Sequence, residues 1–441
     1  MTFRRDLGVF DATMLVVGGI IGAGIFINPA IVAARLDSAG AVLAAWVVGG
    51  AVALAGAFAY GELGALFPRA GGQYVYLTEA YHPVVGFLYA WALLFIIASG
   101  AVAAVAIVFA QYTERVTGGG PRVVIPLAIV AIMFLSALNA VGVKPGSRVV
   151  NASSVLKVAA ILVLVGVGLA TSGHARDIAS ATPVPGSASG VVAFGAALVP
   201  ILFAYGGWQQ TNFVAEEMRD PRRTLPLALV AGTTVVAVVY VLINIAYLSS
   251  LGLGGLARTM TPAADVAARA IGSTGERFVA LSIAVSTFGF LDVCILASSR
   301  VYYAMAADGL FFRRVARLHP RFDTPVLAIA IQGAWAIALA LSGTYAQLLD
   351  YVVFADWIFF GLSVGAVFVF RRRFPVDTRG TAVTTPGYPL VPAAFVGVAF
   401  GVVLSVAWAN PRGSAVGAGL LLSGLPAFAW WARAGRQRER S

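Results

Sequence analysis

GGIIGAGIF, Gly18 to Phe26, sits inside a run of apolar residues that begins near Asp11. The run is long enough to cross the ~30 Å hydrocarbon core of a bilayer. Yet four of the seven positions from Gly18 to Gly24 are glycine (18, 19, 22 and 24). Each interior glycine weakens a helix by roughly 1 kcal/mol against alanine. Asp11 and Gly22 are eleven residues apart, about 16 Å of helix, so the weak point falls near the membrane midplane. A second such point is FAYGGW, Phe203 to Trp208, with Tyr205 eleven residues before Glu216. Its distance from the nearer edge is the same, about 16 Å.

Composition makes lipid the natural solvent for the rest of the chain. Of 441 residues, 60% are hydrophobic and 11% charged, where a soluble domain has roughly a quarter charged. The net charge of +11 would suit nucleic acid if it were gathered on one face. Instead the arginines are scattered through short loops between apolar runs, which is the positive-inside pattern. No nucleic-acid partner is therefore expected.

The periodicity predicts an all-α membrane protein of twelve spans, near 11–35, 41–66, 85–113, 122–140, 148–171, 191–216, 225–249, 274–306, 324–343, 347–370, 388–409 and 414–434. Charge bias places both termini in the cytoplasm, with Arg4, Arg5, Lys144, Arg148, Arg313, Arg314 and Arg371 to Arg373 on the inside. An even number of spans agrees with that. Residues 67–84 are aromatic and too polar to span, and are expected as a cytoplasmic interfacial helix. Residues 172–190, rich in Ser, Ala, Pro and Gly, are expected as a flexible external loop.

The two glycine-broken spans open successive groups of five. An odd-numbered unit repeated in tandem must be inverted in the membrane. The expected organisation is thus one transmembrane unit over 1–441, with repeats at 11–171 and 191–370 and two added helices at 388–434. Unwound backbone is tolerated at membrane depth only where it lines a cavity. Its free N–H groups attract a carboxylate and its free carbonyls accept from an ammonium. An α-amino acid carries both. The competing reading of Gly18 and Gly22 is close helix packing through a small-xxx-small pair.

These segments resemble the amino acid–polyamine–organocation superfamily, in GGIIGAGIF and in the segment from Glu62 through FPRAGGQYVYL. FAYGGWQQTNFVAEEMRDPRRTLP, Phe203 to Pro226, resembles the L-type amino acid transporter branch, and ASSRVYYAMAADG, Ala297 to Gly309, also fits. The resemblance implies a LeuT-type fold of two inverted five-helix repeats. It implies a carboxylate seat at Ile21, Gly22, Ala23 and Gly24, and an amine seat at the carbonyls of Phe203, Ala204 and Tyr205. It makes Trp208, Phe288 and Trp357 pocket or gate residues. Animal L-type transporters pair with a heavy chain through a cysteine after the third span. Here that loop, TERVTGGGPR, has none, so a disulfide-linked partner is not expected and the chain should work alone.

Lys157 is one of two lysines in the chain and lies nine residues beyond Arg148, about 13 Å into the fifth span. An ammonium at that depth needs a cavity or polar partners. In sodium-independent members of the superfamily a fifth-span lysine stands where others bind sodium. The resemblance places Lys157 there, with partners near Gly18, Gly19, Thr287 and Cys294. It is either a fixed cation or a proton carrier. Asp292 and Asp356 are carboxylates in the eighth and tenth spans, open to a cationic substrate, a proton or a packing role. Glu62 is expected at an inner gate or in an ion pair, and Glu216 and Glu217 in an ion network with Arg219.

His82, His174 and His319 are too far apart to suggest a metal site. No phosphate-binding loop or nucleophile–base pair is visible, so neither cofactor nor enzymatic activity is expected. The function expected is sodium-independent transport of L-amino acids, neutral ones foremost, by exchange or proton symport in a bacterial inner membrane. A cationic amino acid or polyamine antiporter is the alternative within transport, and a non-transporting amino acid receptor the alternative outside it.

Overall fold

The computed structural model describes residues 3–173, 188–342, 345–374 and 384–439. Most of the 172–190 loop, with His174, lies outside the described residues, as does Arg379. The described chain is helical almost throughout, its one bridge between extended segments being Leu7 with Met218.

Among the described residues ten helices are long and apolar enough to cross a membrane, and an eleventh span is made by α1 (Val9–Ile20) and α2 (Gly24–Ala33), bent by 45° at the glycine motif. The twelve-span expectation further requires Val326–Ser342, a shorter apolar helix. α3 (Ala39–Leu66) and α4 (Gln73–Ala80) follow the broken span. The third span runs from α5 (Pro83–Ala92) through one π-helical turn, Leu93–Ile97, into α6 (Ala98–Thr117). α7 (Val124–Val141) and α8 (Val143–Ala170) complete the first half.

The second half begins with α9 (Ala188–Ala204), which stops at Tyr205-Gly206-Gly207 before a 3₁₀ segment, Trp208–Glu217. α10 (Pro221–Arg258) kinks at Gly252 and continues nine residues past the expected end at 249, with Leu251 and Leu256 buried and Gly254, Gly255 and Arg258 exposed. α11 (Pro262–Ile271) is amphipathic, burying Pro262, Ala263, Val266 and Ala267. α12 (Ser273–Ala307), α13 (Val326–Ser342), α14 (Tyr345–Arg373), α15 (Leu390–Ala409), α16 (Pro411–Leu422) and α17 (Gly424–Glu439) follow.

Burial sorts these helices. The most apolar windows of α5–α6 and α12 are 78% buried, whereas those of α7, α15 and α16–α17 are 28%, 22% and 11% buried. Apolar side chains left uncovered on such helices suit lipid contact. α1, α9, α3 and α10 pack together with α6, α8 and α12 around the two breaks.

α4, the helix expected in residues 67–84, is covered by protein along most of its length: Gln73, Tyr74, Val75, Tyr76, Leu77 and Ala80 are all buried. Tyr76 donates to Asn212 Oδ1 at 2.9 Å, and the Gly71 N–H donates to the Phe213 carbonyl at 3.1 Å. Gly72, at φ +42°, lies against the Asn212 backbone. These contacts tie the segment to the 3₁₀ half of the sixth span.

Candidate functional site

The two breaks meet. A Cβ on Gly24 would stand 3.1 Å from the Cβ of Ala204, and one on Gly19 2.8 Å from the carbonyl oxygen of Gly207. Gly207 has φ +117° and faces the Gly19 carbonyl so closely that no side chain fits between them. Glycine here serves both packing and unwinding, so the two readings of the motif are joint consequences of one crossing. Tyr240, on α10, holds the crossing together. Its hydroxyl is shared between the carbonyls of Ile20 (3.3 Å) and Ala204 (3.2 Å), the final residues of the two first half-helices.

Between the breaks lies a cavity of about 100 Å³. Ile20, Gly22, Ala23 and Gly24 form one wall, and Phe203, Ala204, Gly206, Gly207, Gln209 and Gln210 another. The π-helical turn contributes Leu93 and Ile97, α12 contributes Phe290, Cys294 and Ser298, and α14 contributes Val352, Asp356, Trp357 and Phe360. The opening turn of α2 has N–H groups beyond the reach of its own helical bonding, and the helix dipole places partial positive charge there. On the other wall, the Phe203 carbonyl accepts from the Gly206 N–H at 3.1 Å and the Ala204 carbonyl from Tyr240. Each carbonyl oxygen has a second lone pair for a ligand ammonium.

The individual expectations divide. Gly22, Ala23, Gly24, Phe203, Ala204 and Trp357 lie on the cavity. Ile21 lies behind it, with its carbonyl directed to Lys157. Tyr205 is also off the cavity wall: its ring packs on Trp46 and Tyr240, and its hydroxyl donates to the Trp46 carbonyl at 3.2 Å. Trp208 does not face the cavity either. It stacks on Phe360 at 5.6 Å and meets Tyr60 edge-on at 4.8 Å, so it backs the wall. Phe288 points away, toward Phe109 and Phe134. Two residues further along α12 turn the helix by about 200°, and Phe290 takes the place expected of Phe288.

Lys157 is 1% exposed, and its ammonium donates to the carbonyls of Gly18 (3.0 Å) and Ile21 (2.8 Å). Its expected eighth-span partners are replaced. The Thr287 hydroxyl donates to its own helix, at Ile283 and Ala284. The Cys294 thiol lies 3.7 Å from the Ala98 carbonyl. The eighth-span group that reaches the break is Ser286, whose hydroxyl is 3.1 Å from the Ile21 carbonyl and 3.3 Å from that of Gly22. Gly289, one turn on, leaves room for the Lys157 chain: a Cβ there would be 3.1 Å from Lys157 Cε.

The two intramembrane aspartates separate as well. Asp356 lines the cavity. Asp292 is fully buried outside it, where one oxygen accepts from Asn139 Nδ2 at 2.6 Å and the other has no partner among the described residues. Glu62 is not on the cavity wall and is held by Arg371 at 2.8 and 2.7 Å and by the N–H and hydroxyl of Thr385. Glu217 pairs not with Arg219 but with Arg300, at 2.7 Å, both essentially buried. Glu216 instead accepts from the Ala70 N–H.

Tyr240, Gln210, Ser286 and Phe290 escaped the sequence reading. The helical phase of α12 was the available signal for Ser286 and Phe290. Tyr240 lies in an apolar span with no local mark of its role. Among the described residues no group of three or more His, Cys, Asp or Glu is placed to hold a metal.

Residues 7–430 match the amino acid permease family. The serine/threonine exchanger SteT of Bacillus subtilis is 31% identical over 428 residues, covering 96% of each chain. The human b(0,+)-type amino acid transporter 1 is 31% identical over 376 residues, covering 84% of this chain and 77% of its own. The human cystine/glutamate transporter is 29% identical over 432 residues, covering 96% and 85%. Broken spans crossing at a cavity, in a chain that matches along nearly its whole length, lead to one assignment: this protein belongs to the amino acid permease family and is a multi-pass membrane transporter.

Proposed function

We propose that this protein carries L-amino acids across a bacterial inner membrane by alternating access, without sodium, with both termini in the cytoplasm. The two inverted repeats are 11–171 and 191–370. The α-carboxylate binds at the opening turn of α2, over Gly22, Ala23 and Gly24. The α-ammonium binds the carbonyls of Phe203 and Ala204. Backbone groups read only the part common to all amino acids, so the side chain is sorted by α6, α12 and α14.

The observation that carries this reading is the crossing of two unwound segments on one cavity. Sodium independence is supported by Lys157. Its ammonium occupies the carbonyls of Gly18 and Ile21, hard oxygen ligands of the kind a sodium ion would use. Exchange is the favoured mode, since SteT is named an exchanger. The chain is proposed to act without a disulfide-linked partner.

Counterflow in proteoliposomes tests the proposal. Vesicles loaded with unlabelled leucine, alanine or arginine should accumulate external labelled amino acid equally well in sodium and in choline buffers. Binding without any counterflow would favour a receptor instead. Strict dependence on sodium would refute the role given to Lys157.

A further inference from the structure

We propose that Asp356 selects α-amino acids with a cationic side chain, arginine and lysine being the type, through a carboxylate that the substrate itself neutralises. The inference rests on the amino acid seat proposed above and replaces the expectation of neutral substrates.

Asp356 projects from α14 onto the cavity. Among the described residues, it has no hydrogen bond or ion pair to a side chain. The titratable groups in electrostatic reach are Tyr60 from α3, Tyr89 from α5 and Cys294 from α12, and none is a cation. Among the described residues, the cavity lining holds this one acid and no lysine, arginine or histidine. Lys157 does not supply the missing charge, because it lies behind the first-span break with its ammonium on Gly18 and Ile21.

A carboxylate on a mostly apolar cavity inside a membrane is unfavourable unless something pairs with it. A neutral zwitterion brings no surplus charge. Its ammonium goes to the sixth-span carbonyls and its carboxylate to the first-span amides, leaving Asp356 as it was. A substrate with a cationic side chain brings one positive charge beyond the zwitterion. An acidic one would add a like charge and is excluded.

A second observation agrees. Gln210 also lines the cavity, is 8% exposed, and its Oε1 has no partner among the described residues. Two acceptors without donors, one charged and one neutral, match guanidinium or ammonium side chains, which are donors only. The surrounding surface is aromatic, from Phe290, Trp357 and Phe360, and cations lie favourably against aromatic faces.

The test uses the purified full-length protein in proteoliposomes and in detergent. Wild-type vesicles should exchange labelled arginine and lysine in preference to leucine. Arginine should also raise the melting temperature in detergent at lower concentration than leucine does. In Asp356→Asn the ratio of arginine to leucine uptake should fall at least about tenfold, the loss of one charge-assisted contact. Asp356→Glu should keep most of the ratio. Both the ratio and the ligand-induced stabilisation report on folded protein alone, so poor folding of a variant does not mimic the effect.

The inference is overturned if the wild type exchanges leucine but not arginine, while amino acid transport itself stands. It is equally overturned if leucine uptake is driven by a proton gradient and that drive disappears in Asp356→Asn, since Asp356 would then carry a proton. Transport of putrescine with no α-amino acid moved would refute the amino acid seat. Absence of counterflow for every amino acid would refute the proposed function.

Discussion

The ammonium of Lys157 lies 2.8 Å from the carbonyl oxygen of Ile21, the residue at which the first helix stops. A fifth-span side chain thereby ties down backbone that has lost its own helical partners. The same carbonyl accepts from Ser286 on the eighth span. Three spans thus converge on one oxygen, so any movement of the first-span break is transmitted to the fifth and eighth.

Lys157→Ala should therefore uncouple the break from its neighbours. Hydrogen bonds from a charged donor contribute about 1.5–3 kcal/mol each, and two are lost. The prediction is a fall in exchange rate of at least about tenfold, read as initial counterflow in proteoliposomes. Normal exchange, indifferent to sodium as before, would sink the substitute-cation role.

Gly24→Val probes the carboxylate seat. Even a methyl group at this position stands 3.1 Å from Ala204 Cβ, and a branched side chain has to displace the facing half-helix or fill the cavity. Amino acid binding, followed by ligand-induced thermal stabilisation, should be lost. If affinity survives, the glycine is there for packing and the seat lies elsewhere.

Gly207→Ala should damage folding rather than binding alone. Its φ of +117° already disfavours an L side chain, at about 1–3 kcal/mol, and the Gly19 carbonyl leaves no space for a methyl group. The expected result is a lowered melting temperature and less monodisperse protein by size-exclusion chromatography. A fully stable, monodisperse Gly207→Ala would show that the crossing is looser than described.

Tyr240→Phe removes one hydroxyl and little volume. That hydroxyl bridges the carbonyls of Ile20 and Ala204. Its loss should weaken amino acid binding by about three- to tenfold, the effect of one ordinary hydrogen bond. Fluorescence or calorimetric titration reads the change, and an unaltered dissociation constant would mean that the bridge is incidental.

The Arg300–Glu217 pair joins the C-terminal end of the sixth span to the eighth, and Arg300 is wholly buried. Breaking such a pair strands a charge and costs about 3–5 kcal/mol, whereas replacing both partners with apolar groups is far milder. Arg300→Met alone should thus destabilise the protein much more than Arg300→Met combined with Glu217→Met. Equal thermal losses for the two variants would remove the buried-charge explanation.

The sequence by itself determined the helical membrane class and the positions of both breaks. Each depends on something local: the run of apolar residues and the weakness of glycine in a helix. What only the tertiary structure decided was facing. Phe288 and Phe290, Thr287 and Ser286, and Asp292 and Asp356 are chemically similar candidates, and one of each pair reaches the site while the other turns aside. A helix buried on most of its circumference shows no polar face to reveal its orientation. Which side meets the cavity depends on how the neighbouring spans pack, and that is set by contacts between residues more than a hundred positions apart.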